Sequence, residues 1–389
     1  MLIYYVALIG SVGLLFLSNL FVAQRHFSNI LTYIVPLPMA IVAGVRNLTI
    51  GTDVLVYGNV NFYSAGQFSN LIDYVKFVRT LNGVEIGYSV LNFVVSRFSD
   101  YTNVFLFVLN YFTVMFVILA LRKIKNYKYE ILGLIVYFGF FWGNSLNAMR
   151  QSLAAAIVLL AVANIIFSEN VSYKRPVLLI LFASLFHQTA LFALILILIW
   201  FLIKKYKTSF LTFVLFAFVI GSLMLVLVAS PQRMMVIFEA LPFLSKYYSI
   251  FQSSGATYLT SGGGMAVSTI LERNAFILVL MILGVISKRT NFVEMPTLEL
   301  LSVATILDFV FLFVGVYSGL FARLGLYFSM VRVLSTGYFI SRLGSAMTKF
   351  VLYIFVVFIS LYVFYLVTHS GSGQIYPYVS DILNDYSIF

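Results

Sequence analysis

The chain contains no cysteine. Disulfides, thiolate-held metals and cysteine nucleophiles are therefore excluded. Histidine is almost as scarce: His26, His187 and His369 are the three, with no HExxH pattern and no His/Asp cluster, so a dedicated metal site is not expected; no cofactor is expected. Charge is also in short supply. Only 10% of the 389 residues are charged, against about 25% in soluble domains. What fills the gap is apolar: 62% of the chain is hydrophobic. No soluble fold of this length hides that much apolar surface, so the bilayer must be its solvent. The fold class that follows is an all-α polytopic integral membrane protein. The net charge of +11 then reflects Lys and Arg in cytoplasmic loops. No basic, aromatic-interleaved soluble segment is present, so a nucleic-acid partner is not expected.

Apolar runs predict about 11–12 transmembrane segments, at 2–22, 30–45, 103–121, 131–147, 151–167, 177–186, 189–203, 209–229, 271–287, 298–317, 320–340 and 350–368. The first has no basic stretch before it and reads as an uncleaved anchor. No repeat and no second-domain boundary is visible, which predicts a single transmembrane domain over 1–389. Lys and Arg in short loops set the orientation. Arg122 to Lys128, Lys174-Arg175, Lys204 to Lys207 and Lys288-Arg289 are the strongest markers and are placed in the cytoplasm. Long outer loops at about 46–102 and 230–270 and an outer tail at 369–389 follow. The 46–102 stretch contains an amphipathic piece from Val84 to Phe98. The run Gly262 to Gly264 reads as a hinge. One conflict arises: Lys174-Arg175 and Lys204 to Lys207 cannot share a side if 177–203 crosses once. About 27 helical residues rise about 40 Å, more than one crossing and less than two. Two short segments meeting at a bend near His187 resolve it; one long tilted helix is the alternative.

The remaining charges are candidates for chemistry. In this topology Arg46, Arg79, Arg97, Arg150, Arg233, Arg273 and Arg323 lie outside or at the outer boundary, where the positive-inside bias depletes arginine. A guanidinium fork at that depth suits an anionic headgroup, a diphosphate above all; singly, each could equally snorkel to lipid phosphate or cap a helix. His187 alone among the histidines has apolar sequence on both sides, and an imidazole can take a proton from a sugar hydroxyl. A hydrogen-bonded structural histidine is the plainer reading. Asp53, in Gly51-Thr52-Asp53, could orient a hydroxyl or hold an arginine, or simply close a turn. Asp308 and Arg332 fall inside expected spans. Intramembrane charges are costly, and pairing between adjacent helices is the favoured reading.

With these residues in view, the chain resembles the EpsG-like branch of the Wzy polysaccharide polymerases. The resemblance is carried by Arg46 with Gly51-Thr52-Asp53 and Tyr57, by Met149-Arg150-Gln151-Ser152-Leu153-Ala154, by Phe186-His187-Gln188-Thr189-Ala190-Leu191, by Arg323 with Tyr327-Phe328, and by Tyr376-Pro377-Tyr378. It implies a GT-C-like membrane fold and an inverting, metal-independent glycosyltransferase in the bacterial cytoplasmic (inner) membrane. The implied substrate is an undecaprenyl-diphosphate-linked oligosaccharide, joined at the outer face without sugar nucleotides into O-antigen (lipopolysaccharide), capsule or exopolysaccharide. Membrane lipid and a Wzz-like chain-length regulator are the partners it suggests. By this reading His187 and Asp53 are catalytic. Arg46, Arg150, Gln151, Arg323, Arg273 and Tyr57 bind diphosphate or sugar, with Arg150 and Arg323 on the diphosphate and Arg46 and Asp53 on the acceptor side. The rivals are an O-antigen ligase, a lipid-linked oligosaccharide flippase and, more weakly, a membrane O-acyltransferase.

Overall fold

The computed structural model describes residues 1–167, 172–206, 210–228, 267–287 and 295–383, with Val236 and Glu239. The expected loop 230–270, with Arg233 and the Gly262 to Gly264 hinge, falls almost wholly outside these residues, as do the markers Lys207, Lys288 and Arg289. Every regular element among the described residues is helical. Seven helical stretches are long and apolar enough to cross a membrane: Leu2–Leu20, Arg25–Gly44, Thr102–Ile124, Met149–Ile166, Gln188–Tyr206, Met295–Gly315 and Ala346–His369. Several other expected spans are present as shorter or broken helices. The chain forms two compact units, Met1–Gln188 with Ile354–Phe389, and Thr189–Tyr353.

The first unit is built from α1 (Leu2–Leu20), α2 (Arg25–Ile34), α3 (Leu37–Gly44), α4 (Asn59–Gln67), α5 (Leu71–Asn82), α6 (Ile86–Val95), α7 (Thr102–Leu121), α8 (Tyr127–Tyr137), α9 (Gly143–Asn147), α10 (Met149–Ile166) and α11 (Lys174–Ser184). A π-helical turn, Val54–Gly58, precedes α4, and another, Phe138–Trp142, joins α8 to α9. Helix α10 is the core: all its residues but Arg150 and Asn164 are buried. Ser152, Ala154, Ala155, Ala156, Ala161 and Ala163 keep it slim, so α7 and α11 pack closely against it. The segment 46–102, expected as a loop, is folded into the Val54–Gly58 turn and α4 to α6, none of them long enough to span. Their polar faces are satisfied locally: Tyr74 donates to the Asn61 carbonyl at 2.8 Å.

At one end of this unit a polar cluster joins α1, α2 and α8 to the end of α7. Arg122 pairs with buried Glu130 at 2.9 Å and donates to Asn19 at 2.6 Å and Ser28 at 3.2 Å. A buried carboxylate without such partners would be costly. At the other end an aromatic cluster of Tyr4, Trp142, Phe364 and Tyr378 packs edge-on and stacked, with ring centroids 5.3–6.2 Å apart. Helix α7 runs from one end to the other, about 28 Å over its 19 steps.

The second unit contains α12 (Leu194–Tyr206), α13 (Phe210–Val228), α14 (Val267–Ile286), α15 (Met295–Gly315), α16 (Gly319–Ser329) and α17 (Arg332–Arg342). Helix α18 (Ala346–His369) begins here and belongs to the first unit from Ile354 onward. The expected single span 320–340 is instead two short helices. Ser329 ends the first and Arg332 begins the second, and both side chains donate to the Asp308 carboxylate. Arg332 also donates to Asn274 on α14. Asp308 and Arg332 are thus a buried ion pair, the structural role favoured by the sequence.

Candidate active site

His187 stands where the apolar stretch 177–203 breaks. Helix α11 stops at Ser184, and a 3-10 turn begins at Gln188. Of the two sequence readings, the interrupted helix is the one the structure shows. The break is held from α6: the Gly87 N–H donates to the Leu185 carbonyl at 2.7 Å. A Cβ on Gly87 would stand only 2.8 Å from that carbonyl oxygen, so glycine permits the approach. His187 is buried, at 5% exposure.

The residue that organises this neighbourhood is Glu85, just ahead of α6. Its Oε2 accepts from Arg150 at 2.5 Å. Its Oε1 lies 3.3 Å from His187 Nδ1 and accepts from the Gln188 backbone N–H at 3.4 Å. Sequence reasoning passed Glu85 over. It sits at the start of the predicted amphipathic piece, where an acidic residue reads as a solvated face. The available signal was its position: a carboxylate next to an apolar stretch, on the side where outer arginines gather.

Arg150, in the first turn of α10, faces a second carboxylate through an aromatic ring. Its guanidinium lies over Tyr57 at 4.3 Å and 5.7 Å from the centre of the Tyr88 ring. The Tyr57 hydroxyl donates to Asp53 at 2.6 Å. Burial pushes the Tyr57 phenol well above its usual pKa, with Arg150 opposing and Asp53 adding to the rise. The phenol therefore stays a hydrogen-bond donor to Asp53. The loop before it is fixed by Asn147, whose side-chain oxygen accepts from Thr52 Oγ1 at 2.7 Å and the Asp53 N–H at 3.1 Å. Gly51 has φ +92° and packs against the Leu146 carbonyl, where a Cβ would approach to 2.5 Å. Both the dihedral and the space call for glycine.

Arg46 follows α3 and is held from α7. Asn103 donates to the Gly44 and Arg46 carbonyls at 2.6 and 2.9 Å, satisfying the open end of the helix. The side chain is only 2% exposed. Its Nη2 approaches Met149 Sδ at 3.6 Å, and its Nε and Nη1 have no hydrogen-bond partner among the described residues. Burial pushes its pKa down to about 10, against the opposing influence of Tyr4, Tyr378 and Tyr88. It remains a cation at neutral pH. Tyr88 feels Arg150, Asp53 and Arg46 alike, so the two guanidinium groups and the carboxylate share one neighbourhood. The segment after α18 closes over this loop. Gln374 and Val379 carbonyls accept from the Gly51 and Asn47 N–H groups at 3.3 and 2.8 Å, and Tyr378 donates to the Val42 carbonyl at 3.0 Å.

The structure thus brings together Arg46, Asp53, Tyr57, Arg150 and His187. Gln151 is buried on the same turn as Arg150. Arg97, counted among the outer arginines, serves the scaffold: it donates to the Ala65 carbonyl at 2.5 Å and lies over Phe93. Arg323 and Arg273 belong to the second unit. Arg323 is exposed on α16. Arg273, on α14, is half-buried with its Nε enclosed. Nearby on α16, Tyr327 shares a 2.9 Å hydrogen bond with Thr189.

Seven helical stretches able to cross a membrane define a multi-pass all-α membrane protein, with arginines, carboxylates and an imidazole clustered at one end of its first unit. The model of the EpsG family matches residues 29–380, and the chain belongs to that family. No curated protein and no solved structure matches it.

Proposed function

We propose that this protein polymerises undecaprenyl-diphosphate-linked oligosaccharide repeat units at the outer face of the cytoplasmic membrane, as an inverting glycosyltransferase that needs neither metal nor sugar nucleotide. The observation that carries this reading is Arg46: an enclosed guanidinium with two nitrogens unmatched among the described residues, sharing Tyr88 with Arg150. A buried cation of this kind calls for an anion, and a lipid diphosphate supplies one. The placement agrees. The site lies at the end of the first unit opposite Arg122 and Glu130, about 28 Å away along α7. Arg122, Lys123, Lys125 and Lys128 mark that far end as cytoplasmic under the positive-inside rule.

In the proposed reaction the acceptor is a sugar hydroxyl on a second lipid-linked unit. Its oxygen attacks the anomeric carbon of the donor from the face opposite the diphosphate. The bond from that carbon to the diphosphate oxygen breaks, and undecaprenyl diphosphate leaves with the electron pair. His187 takes the hydroxyl proton. Arg46 and Arg150 stabilise the charge growing on the leaving group, fixed in place beforehand by Asn103, Glu85 and Tyr57. The sequence placed Arg46 on the acceptor side, but its enclosed nitrogens, unmatched among the described residues, suit the diphosphate better. Asp53, oriented by Tyr57, faces the acceptor side. Arg323 and Arg273 are proposed as further anion contacts from their residue type and place in the sequence. A Wzz-like regulator remains a proposed partner.

The test is direct. Purified protein in nanodiscs is given only the undecaprenyl-diphosphate repeat unit, and products are separated as a ladder. A ladder without nucleotide sugar or metal is expected. No ladder from folded protein with bound substrate would overturn the reading in favour of a ligase or flippase.

A further inference from the structure

We propose that Glu85 is the positioning residue of this site: one carboxylate sets the tautomer and basicity of His187 while holding Arg150 in place. The proposal deepens the polymerase reading and rests on it. Its basis is the bridging geometry. Oε2 is committed to the Arg150 guanidinium at 2.5 Å, and Oε1 lies 3.3 Å from His187 Nδ1, within ion-pair distance though not aligned as a hydrogen bond. All three side chains are largely enclosed, with Glu85 at 9% and His187 at 6% side-chain exposure. Within such a site the charge of a carboxylate is felt strongly.

Two consequences follow for the chemistry. A carboxylate beside Nδ1 favours the tautomer with the proton on that nitrogen, which makes Nε2 the basic one. The same carboxylate favours the imidazolium that forms when His187 takes the hydroxyl proton. Arg150 would act the other way, disfavouring a second positive charge nearby, and its engagement with Oε2 limits that effect. Among the described residues, Asp53, Tyr57, Tyr88 and Arg46 are further charged or titratable groups of this cluster, reached through Arg150 and the Tyr57 and Tyr88 rings. The Gln188 N–H on the same carboxylate ties the backbone after His187 to Glu85, so the imidazole and its carboxylate are held as a unit.

With only three histidines in the chain, the imidazole can be watched without reference to activity. Full-length protein labelled with 15N and 13C at histidine is placed in nanodiscs and titrated by NMR, and His187→Gln assigns the signal. In the wild type, Nδ1 should carry the proton of the neutral ring. In Glu85→Gln the pKa of His187 should fall by about one unit or more, and in Glu85→Asp it should stay near the wild-type value. In the ladder assay Glu85→Gln should lose at least tenfold in kcat with KM within about twofold, and the acid limb of its pH profile should move to lower pH by the same amount. An unchanged His187 titration in Glu85→Gln, or polymerisation at wild-type kcat, overturns the proposal. If the wild type itself makes no ladder, the polymerase reading fails, and the NMR titration decides on its own whether Glu85 governs His187.

Discussion

Replacing Arg46 by Met should make the empty protein more stable and the loaded protein less so. Arg46 is buried, has no carboxylate partner among the described residues and has two unmatched nitrogens. Its pKa in the fold is about 10, more than two units below the ordinary guanidinium range. That difference corresponds to about 3 kcal/mol of unfavourable charge burial. The sign is fixed by the direction of the shift. A base with a depressed pKa carries its full cost at every pH below the folded value, and the cost is relieved only as pH rises through about 10. At pH 7 the whole penalty is therefore present. Methionine keeps most of the stem that packs beside Met149 and removes the charge, so up to about 3 kcal/mol should be recovered. Under the proposed function a diphosphate lipid would offset the same penalty in the wild type by pairing with the guanidinium, and would have nothing to offset in the variant. Thermal unfolding of both proteins at pH 7 in one detergent, with and without undecaprenyl diphosphate, reads both effects. Arg46→Met should melt higher than wild type without lipid and gain less when lipid is added. A variant that melts lower, with an undiminished response to the lipid, would refute the reasoning.

Glu85 and Arg150 should behave as one unit. Arg150→Met and Glu85→Gln each strand a buried partner, and their double variant should be more stable than the sum of the singles implies by about 2 kcal/mol, measured as a double-mutant cycle in urea. Asp308→Ala leaves Arg332 buried without its ion-pair partner and should cost about 3–5 kcal/mol, seen as reduced folded yield on size-exclusion chromatography. Gly87→Ala would press a methyl against the Leu185 carbonyl 2.8 Å away. The strain should cost about 1–3 kcal/mol and, by shifting α6 and Glu85 relative to His187, should reduce polymer yield on a ladder gel by tenfold or more. Wild-type yield from that variant would show that the α6 contact does not set the site.

Which parts of this molecule were legible in the sequence follows from the range of the forces involved. Apolar runs report on local burial in lipid, so α1, α7, α10, α15 and α18 emerge close to their observed limits. The ion pair of Asp308 and Arg332 was readable because a charge inside a span has so few ways to be tolerated. The break at His187 was readable from a mismatch of length and charge. Glu85 was not, because its partners are remote in sequence and nothing local distinguishes a carboxylate that bridges two helices from one facing water. The split of 320–340 had the same origin. Ser329 and Arg332 turn to a carboxylate on another helix, and that contact is invisible to a scan of apolar periodicity. Arg97 shows the converse. Its type and position suggested an anion contact, and a neighbouring backbone carbonyl satisfied it instead.

The contacts between the segment after α18 and the Asn47 to Gly51 loop set an order of assembly. Arg46, Asp53, Arg150 and His187 are all synthesised before Gln374 and Val379. Until those carbonyls arrive, the Asn47 and Gly51 amides have no such acceptors and Tyr378 has not yet anchored to Val42. A nascent chain halted before this point carries every charged group of the site and lacks the strap that fixes their loop. The hydrogen bonds that fix this loop are therefore completed only after the helices carrying the site have been made.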